Sequence, residues 1–385
     1  PLSEELRRSY IDRFFDEEKS PEVALKKSML LTLKSPRFLY LGLNNQNPDA
    51  HTVAERLAFG LWDSVPDRSL TVQAERGQFA NHNQIRSRAQ QMLKNPRARA
   101  KLRAFFEHWL EFERGEDLAK DPKLYPGFDK ALVADLRSSL NHFLEEVVWQ
   151  GDGDYRKLLL GNEVLMSARM AKFYGGKHSG GEAFEKVSFA KNQRSGVLTH
   201  PYLLAQFAYP STTSPIHRGV FVTRNMLGRS LKPPPNATEF KDSDFDPNLT
   251  MREKVAKLTK PASCQNCHAV INPLGFSLEN YDAVGRFRTK ENRKPIDASS
   301  EYPTQSGKKV RLHGAHDLAK YAAHDPGAQK AFIEKLFHHV VKQPIRAYGD
   351  GLVDELHRKF TSSNCNIREL LVEIVTASAA YGVVK

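Results

Sequence analysis

Apolar residues recur every three to four positions along much of the first half of this chain, which is the spacing of helices with one buried face. Over residues 97–112, Phe105, Phe106 and Trp109 fall on one side, with Arg and Glu opposite. A second apolar stripe runs through residues 132–148. The first half is therefore predicted to be mostly helical, with these stripes packed in a core.

A third helix is predicted to begin at Pro21, with Ser20 as its N-cap, and to end at Ser35 before Pro36. Its apolar side is expected to consist of Val23, Leu25, Met29, Leu30 and Leu31.

The second half contains one stretch that differs from the helical pattern. Residues 294–314 are rich in turn formers, with Ser306 and Gly307 between apolar residues, and predict one small β-hairpin. The stretch 317–380 is expected to be helical again. Pro233 to Pro235 predict a stiff, extended connector.

The predicted fold is mainly α, with a bundle-like N-terminal part, a middle domain that includes the hairpin, and a C-terminal helical domain. The predicted domain boundaries are 1–50, 51–180, 181–310 and 311–385. A chain of 385 residues is long enough for such a multi-domain arrangement.

Composition excludes several classes of protein. The formal charge of +12 favours acidic partners, but basic residues alternate with acidic ones, as at Arg252, Glu253 and Lys254, which disfavours nucleic-acid binding. The most apolar run, 370–384, is interrupted by Glu373 and is too short to predict a membrane span.

Cys264, Cys267 and His268 form the pattern C-x-x-C-H, which is typical of covalent haem c attachment. Residues at positions i, i+3 and i+4 share one face of a helix, so two thiols and an imidazole can reach one planar ligand together. The thiols are predicted to form thioethers with the haem vinyl groups, and His268 to bind the iron from the proximal side. One haem is predicted, and the domain predicted at 181–310 is expected to be a haem domain resembling cytochrome c.

Other interpretations of this motif are weaker. A structural zinc site requires four ligands, and only Cys365 remains as a further thiolate. A thioredoxin-like pair is expected beside a βαβ pattern, which is absent from residues 258–276. A disulfide between Cys264 and Cys267 would close too small a loop to add much stability. Cys365 itself is expected to be an unpaired, partly buried thiol.

The sequence does not identify the sixth ligand of the iron. No methionine follows the motif, although Met226 and Met251 precede it and can fold back. The downstream histidines include His338 and His339, of which at most one can face a given iron because adjacent helical residues point about 100° apart. An open position would favour peroxide or oxygen chemistry.

Two arginines are candidates for the haem propionates. Arg286 and Arg288 follow the motif closely, and a guanidinium matches a carboxylate well. Both can equally be solvated surface charges.

Several runs of residues resemble the planctomycete-type cytochrome c family, whose members consist of consecutive domains of unknown function. The runs are 261–268, 271–276, 279–282 and 285–288 around the motif, 214–219 and 227–235 before it, 35–40, 57–66 and 105–110 near the start, and 337–349 near the end. The resemblance includes His217, His338 and His339, which are candidates for the sixth ligand, although the resemblance itself implies no axial role for them. It implies a C-terminal portion of a longer protein, as does a start at Pro1 without an initiator Met.

The resemblance implies export, because haem c is attached outside the cytoplasm. The expected function is that of a periplasmic or cell-envelope monohaem cytochrome that passes single electrons to an unidentified redox partner. The alternatives are a haem-dependent oxidoreductase with an open iron site, and a structural haem subunit of an envelope complex. The roughly 200 residues before the haem domain favour the enzyme hypothesis, because a simple carrier does not need them.

Overall fold

A computed structural model describes residues 3–39, 48–115, 117–190, 192–231 and 240–382. The predicted connector at Pro233 to Pro235 lies outside these residues. The described residues form helices with three small two-stranded sheets, so the prediction of a mainly α fold is confirmed. No helix among them combines the length and the apolar character of a membrane span.

Contacts between residues divide the chain into two compact units. One unit contains Pro1–Gln91 and Val375–Lys385, and the other contains Met92–Ile374. The four domain boundaries proposed above stay a prediction.

The first unit consists of short helices and the end of the last helix of the chain. Its helices are α1 (Glu4–Arg7), α2 (Arg13–Glu17), α3 (Pro21–Lys34), α4 (Pro36–Leu39), α5 (Ala50–Trp62), α6 (Arg68–Glu75) and α7 (His82–Met92). A five-residue π-helical turn, Arg8–Asp12, joins α1 to α2. Leu57, Leu61 and Ile85 are fully buried in this unit.

Helix α3 has the predicted bounds, but its apolar residues do not form the buried face. Met29 and Leu30 are 56% and 57% exposed, and Val23 and Leu25 are exposed as well. The buried positions are instead Ala24 and Ser28. Small side chains allow close approach of the preceding helix, and this contact decides which face of α3 turns inward.

The second unit contains the remaining helices and all of the strands. Its helices are α8 (Pro96–Trp109), α9 (Lys130–Glu145), α10 (Tyr155–Leu160), α11 (Ala168–Tyr174), α12 (Pro201–Gln206), α13 (Pro215–Phe221), α14 (Met251–Leu258), α15 (Ala262–Phe276), α16 (Ala315–His324), α17 (Pro326–Val341), α18 (Leu352–Ser362) and α19 (Ile367–Ala379), whose last turn belongs to the first unit. Five-residue π-helical segments, Glu146–Gln150 and Val222–Met226, extend α9 and α13.

The two predicted apolar stripes of the first half form part of the core of the second unit. Phe105 and Trp109 of α8 contact the ring of Phe332 at centroid distances of 5.6 and 5.2 Å. Tyr155 lies 4.6 Å from the same ring. The aromatic stripe on α8 is therefore a packing surface, as its period predicts.

The predicted hairpin is present as strands β5 (Ser299–Pro303) and β6 (Lys309–His313), which pair antiparallel with Tyr302 opposite Val310. Gly307 in the turn has a φ of 80°, a value that glycine adopts without strain. The other pairs are β1 (Glu163–Met166) with β2 (Glu185–Ser188), and β3 (Lys290–Glu291) with β4 (Lys294–Pro295).

Candidate haem-binding site

The motif lies near the start of α15. Helix α14 precedes it and begins with a capping box, in which Thr250 and Glu253 satisfy each other's backbone N–H groups. Cys264, Cys267 and His268 then fall in the first half of α15, and each is partly exposed. Both thiols are free. The sequence spacing thus places two thiols and one imidazole on adjacent turns of one helix, within reach of solvent.

Pro273 does not end this helix, although X-Pro sequences usually favour termination. Helix α15 continues through Pro273 to Phe276. The carbonyl oxygen of Pro273 accepts hydrogen bonds from the hydroxyls of Ser277 (2.9 Å) and Ser300 (2.7 Å), the latter from β5. The bond from Ser300 attaches the helix to the hairpin.

A chain of hydrogen bonds orients the imidazole of His268. Its Nδ1 lies 2.9 Å from Oδ1 of Asn272, and Nδ2 of Asn272 donates to the hydroxyl of Thr259 at 2.8 Å. Thr259 in turn donates to the carbonyl of Val255 at 2.8 Å. An amide oxygen only accepts, so Nδ1 of His268 must carry the proton, and the lone pair of the neutral ring is on Nε2.

This arrangement fits a haem iron ligand. Metal-binding histidines normally donate their other ring N–H to a fixed acceptor, which sets the tautomer and the ring orientation. Asn272 is 8% exposed and Thr259 is 2% exposed, so the acceptor is held in the protein interior. Two free thiols on the same helix complete the donor set that covalent haem c requires.

Helix α13 crosses α15 in close contact, and two glycines make this possible. A Cβ atom at Gly219 would overlap the carbonyl oxygen of Ile271, and one at Gly275 would overlap the carbonyl oxygen of Pro215. Residue numbers rise along α13 as they fall along α15, so the helices run antiparallel. The position of the motif-bearing helix therefore depends on backbone-to-backbone packing.

Helix α13 also carries a fully buried arginine. Both terminal nitrogens of Arg218 donate to backbone carbonyls, namely those of Leu204, Leu278, Tyr281 and Asp282, at 2.7 to 3.2 Å. Nη1 lies 3.6 Å from a carboxylate oxygen of Glu279, which is equally buried. Arg218 thereby connects α13 to the loop that follows α15.

Lys120 lies near this arginine and is 6% exposed. Its Nζ donates to the carbonyls of Ala208 and Tyr209 at 3.0 and 2.9 Å. Burial, with a smaller contribution from the charge of Arg218, lowers the pKa of Lys120 to about 7. The neutral amine is therefore far more populated at neutral pH than it is in an exposed lysine.

We expect this lysine to make the free energy of unfolding rise with pH. The unfolded chain binds the proton of this amine more tightly than the folded chain does. Burial of the charged amine therefore lowers the free energy of unfolding by its full amount below the lowered pKa. This destabilisation is lost progressively from about pH 7 to 10.5. The check is urea unfolding across this window, where Lys120→Met should lose most of the slope. A variant with an unchanged slope would contradict the assignment.

The sequence candidates for a sixth ligand lie in different places. His217 is at the surface with its ring centroid 5.2 Å from that of Tyr209. Since Pro215 and Gly219 face α15, His217 lies about 200° around α13 from them and points away from that helix. Met226 and Met251 are buried, the latter in a cluster with Val255 and Phe276.

The other two candidates, His338 and His339, are near the end of α17. They line an open cleft of about 930 Å³, together with His108, and the rings of His108 and His339 are 6.4 Å apart. Two helices end at this cleft, α8 and α17, and none of its described lining residues belongs to α15. The axial roles of His217, His338 and His339 stay predictions.

The two propionate candidates already have partners. The guanidinium of Arg286 lies 3.9 Å from the ring centroid of Phe173. Arg288 pairs with Glu279 at 3.5 Å and with Glu291 at 3.3 Å. A propionate would have to compete with these contacts, and the assignment stays a prediction.

Two family models match the chain. The model PSD4, a protein of unknown function (DUF1592), matches residues 49–175, and the model PSCyt3, a protein of unknown function (DUF1588), matches residues 194–291. Together the matches cover more than half of the chain, and both domains are constituents of planctomycete cytochrome c proteins. The chain belongs to the planctomycete-type cytochrome c family. No curated protein and no solved structure shows significant similarity to it.

Membership of this cytochrome c family implies covalently bound haem c and indicates an exported protein. The PSCyt3 match contains Cys264, Cys267 and His268, and it also contains Arg218 and Glu279. The haem motif and the buried ion pair thus lie in the same family domain.

Sequence reasoning missed several residues of the site in this cytochrome family member. Asn272 is four residues after His268 on one helix, so the i, i+4 relation could have indicated a contact. Thr259 and Arg218 could not be found in this way, because their contacts with Asn272 and Glu279 are made between different elements.

Proposed function

We propose that this chain is a monohaem c-type cytochrome that transfers single electrons in the periplasm or cell envelope. The observation that carries the proposal is the bond from Nδ1 of His268 to Asn272, which leaves Nε2 available on the helix that bears both free thiols. Cys264 and Cys267 would hold the haem covalently, and His268 would bind its iron. The haem supplies one-electron redox chemistry, and the protein supplies attachment and orientation.

The test is to produce the full chain together with a haem c maturation system. We expect a pyridine haemochrome spectrum typical of two thioether bonds and an increase in intact mass by one haem. A folded chain that gains no haem in this system, or that gains more than one haem, would contradict the proposal.

A second measurement separates an electron carrier from a catalytic haem. A low-spin, six-coordinate spectrum that is unchanged by carbon monoxide, cyanide and peroxide supports electron transfer. Rapid binding of these ligands and turnover of peroxide would instead support the oxidoreductase alternative.

Removing the acceptor of the His268 proton should weaken the axial bond. Loss of such a partner typically weakens metal binding about 10- to 100-fold. In Asn272→Ala we therefore expect the acid midpoint for loss of the histidine–iron bond to rise by about one to two pH units, because protons compete more effectively for the ring. The midpoint is measured by absorbance during acid titration of the loaded chain.

Asn266→Ala is the matched control, because Asn266 is an exposed asparagine on the same helix. It should leave the acid midpoint in place. Equal midpoints for Asn272→Ala and the unsubstituted chain would show that the hydrogen bond does not support an iron ligand.

A further inference from the structure

Glu279 is a buried carboxyl group that lacks a full set of donors. It lies three residues beyond the end of α15 and is 1% exposed. Its Oε2 accepts hydrogen bonds from the hydroxyl of Thr213 at 2.9 Å and from Nη2 of Arg288 at 3.5 Å, whereas Oε1 accepts none. A buried carboxylate oxygen without a donor is costly, so the neutral acid is favoured.

The neighbouring arginines only partly compensate a charge on Glu279. Arg218 directs both terminal nitrogens to backbone carbonyls and remains 3.6 Å from Oε1. Arg288 lies 3.5 Å from Oε2 and shares its guanidinium with Glu291. Burial is the dominant effect and raises the pKa of Glu279 to about 7, while the two arginines act in the opposite direction.

Glu279 also borders a cavity through which it can exchange a proton. The cavity has a volume of about 280 Å³, which is room for several water molecules. Its rim includes exposed side chains, among them Asp297 at 60% and Lys294 at 43%. The carboxyl group is thus buried in protein on one side and borders a water-sized space on the other.

We propose that Glu279 takes up a proton when the haem iron bound by His268 is reduced, an inference that rests on the proposed function. A one-electron reductant gives one electron to the iron, and near the raised pKa the carboxylate of Glu279 takes up, on average, a fraction of a proton from solvent through the cavity. When an oxidant removes the electron, this proton uptake is reversed. The net charge of the region then changes by less than one unit between the two redox states.

The physical link is helix α15, which carries His268 and ends just before Glu279. Eight residues separate His268 from Phe276, a rise of about 12 Å. Inside a protein with an effective dielectric constant of about 20, unit charges about 15 Å apart shift an equilibrium on the order of fivefold. Thermodynamic linkage makes the effect reciprocal, so reduction favours protonation and protonation favours reduction.

Other charged groups face Glu279 and must be separated from it experimentally. They are Arg218 on α13, Arg252 and Glu253 on α14, Arg288 after α15, Glu291 on β3, Lys294 on β4, and Asp297. Glu253 lines the same cavity, but it accepts hydrogen bonds from Thr250 and Lys294, which lower its pKa. It is therefore expected to stay ionised where Glu279 titrates.

The test is redox titration of the haem-loaded full chain from about pH 6 to 8, across the raised pKa. We expect the equilibrium constant for reduction to fall on the order of fivefold as the pH rises, and to become nearly independent of pH in Glu279→Gln. The matched control Glu253→Gln keeps the cavity and the cap, since glutamine serves at this position of a capping box. It should retain the pH dependence of the unsubstituted chain.

Infrared difference spectra of the same samples give a second readout. A protonated carboxyl band should appear on reduction of the native chain and be absent from Glu279→Gln. If Glu279→Gln does not fold, the measurements on the native chain still test the inference. A reduction potential of the native chain that does not depend on pH, or the absence of a carboxyl band on its reduction, would overturn it. A loaded chain with such behaviour leaves the cytochrome proposal intact, whereas a chain without haem overturns both.

Discussion

A chain in which Cys264 and Cys267 are both replaced by serine is expected to lose all covalently bound haem. These thiols are one helical turn apart on α15, and each is partly exposed. Serine cannot form the thioether, so His268 alone would have to retain the group by coordination. We expect the haem stain on a denaturing gel to disappear and the intact mass to fall by one haem.

The chain offers a matched control for this experiment. Cys365 is a free thiol that is 4% exposed, and it lies before α19, outside the haem motif. Cys365→Ser should therefore retain the full mass increase. Haem that survives denaturation in the double variant, or that is lost from Cys365→Ser, would show that the attachment site is assigned to the wrong thiols.

Gly275→Ala is expected to destabilise the second unit strongly. Helix propensity alone would favour alanine over glycine by about 1 kcal/mol. The added Cβ would instead overlap the carbonyl oxygen of Pro215 on α13. The carbonyl oxygen belongs to the backbone and the Cβ atom is bonded directly to it, so neither can move aside without its helix. The two helices must therefore separate, and overpacking of this kind lowers the free energy of unfolding by about 3 kcal/mol or more.

Urea unfolding monitored by circular dichroism measures this effect, and it does not depend on haem. Gly181→Ala is the control, since the nearest atom to its added Cβ would be the Ser179 hydroxyl at 3.8 Å. Gly219→Ala should behave like Gly275→Ala, because its Cβ would overlap the carbonyl of Ile271. A Gly275→Ala chain as stable as the control would mean that α13 and α15 do not pack as described.

Local sequence patterns were sufficient to predict an element where the spacing of its apolar residues or a single turn determines its structure. The stripe containing Phe105 and Trp109 predicts α8, and Ser306 with Gly307 predicts the turn between β5 and β6. Helix α3 shows the limit of such reasoning. Its bounds followed from Pro21 and Pro36, but its buried face did not follow from hydrophobicity, since the contact with the neighbouring helix is made through small residues.

The C-x-x-C-H motif was the most informative local signal for the site. It identified Cys264, Cys267 and His268 as haem candidates, and two family models cover the region before and around it. Spacing on one helix is a property of the sequence, so no tertiary information was needed for this inference.

Tertiary structure alone decided what surrounds the motif. Thr259 reaches Asn272 across the turn between α14 and α15, and Arg218 reaches Glu279 from α13. Nothing in the local sequence specifies these partners, because they are set by how helices cross and which groups lose contact with water. The sequence by itself predicted the candidate donor atoms for the haem and the helix that carries them. Packing of α13 against α15 determined the buried groups around them, since backbone contact at Gly219 and Gly275 is possible only in this arrangement.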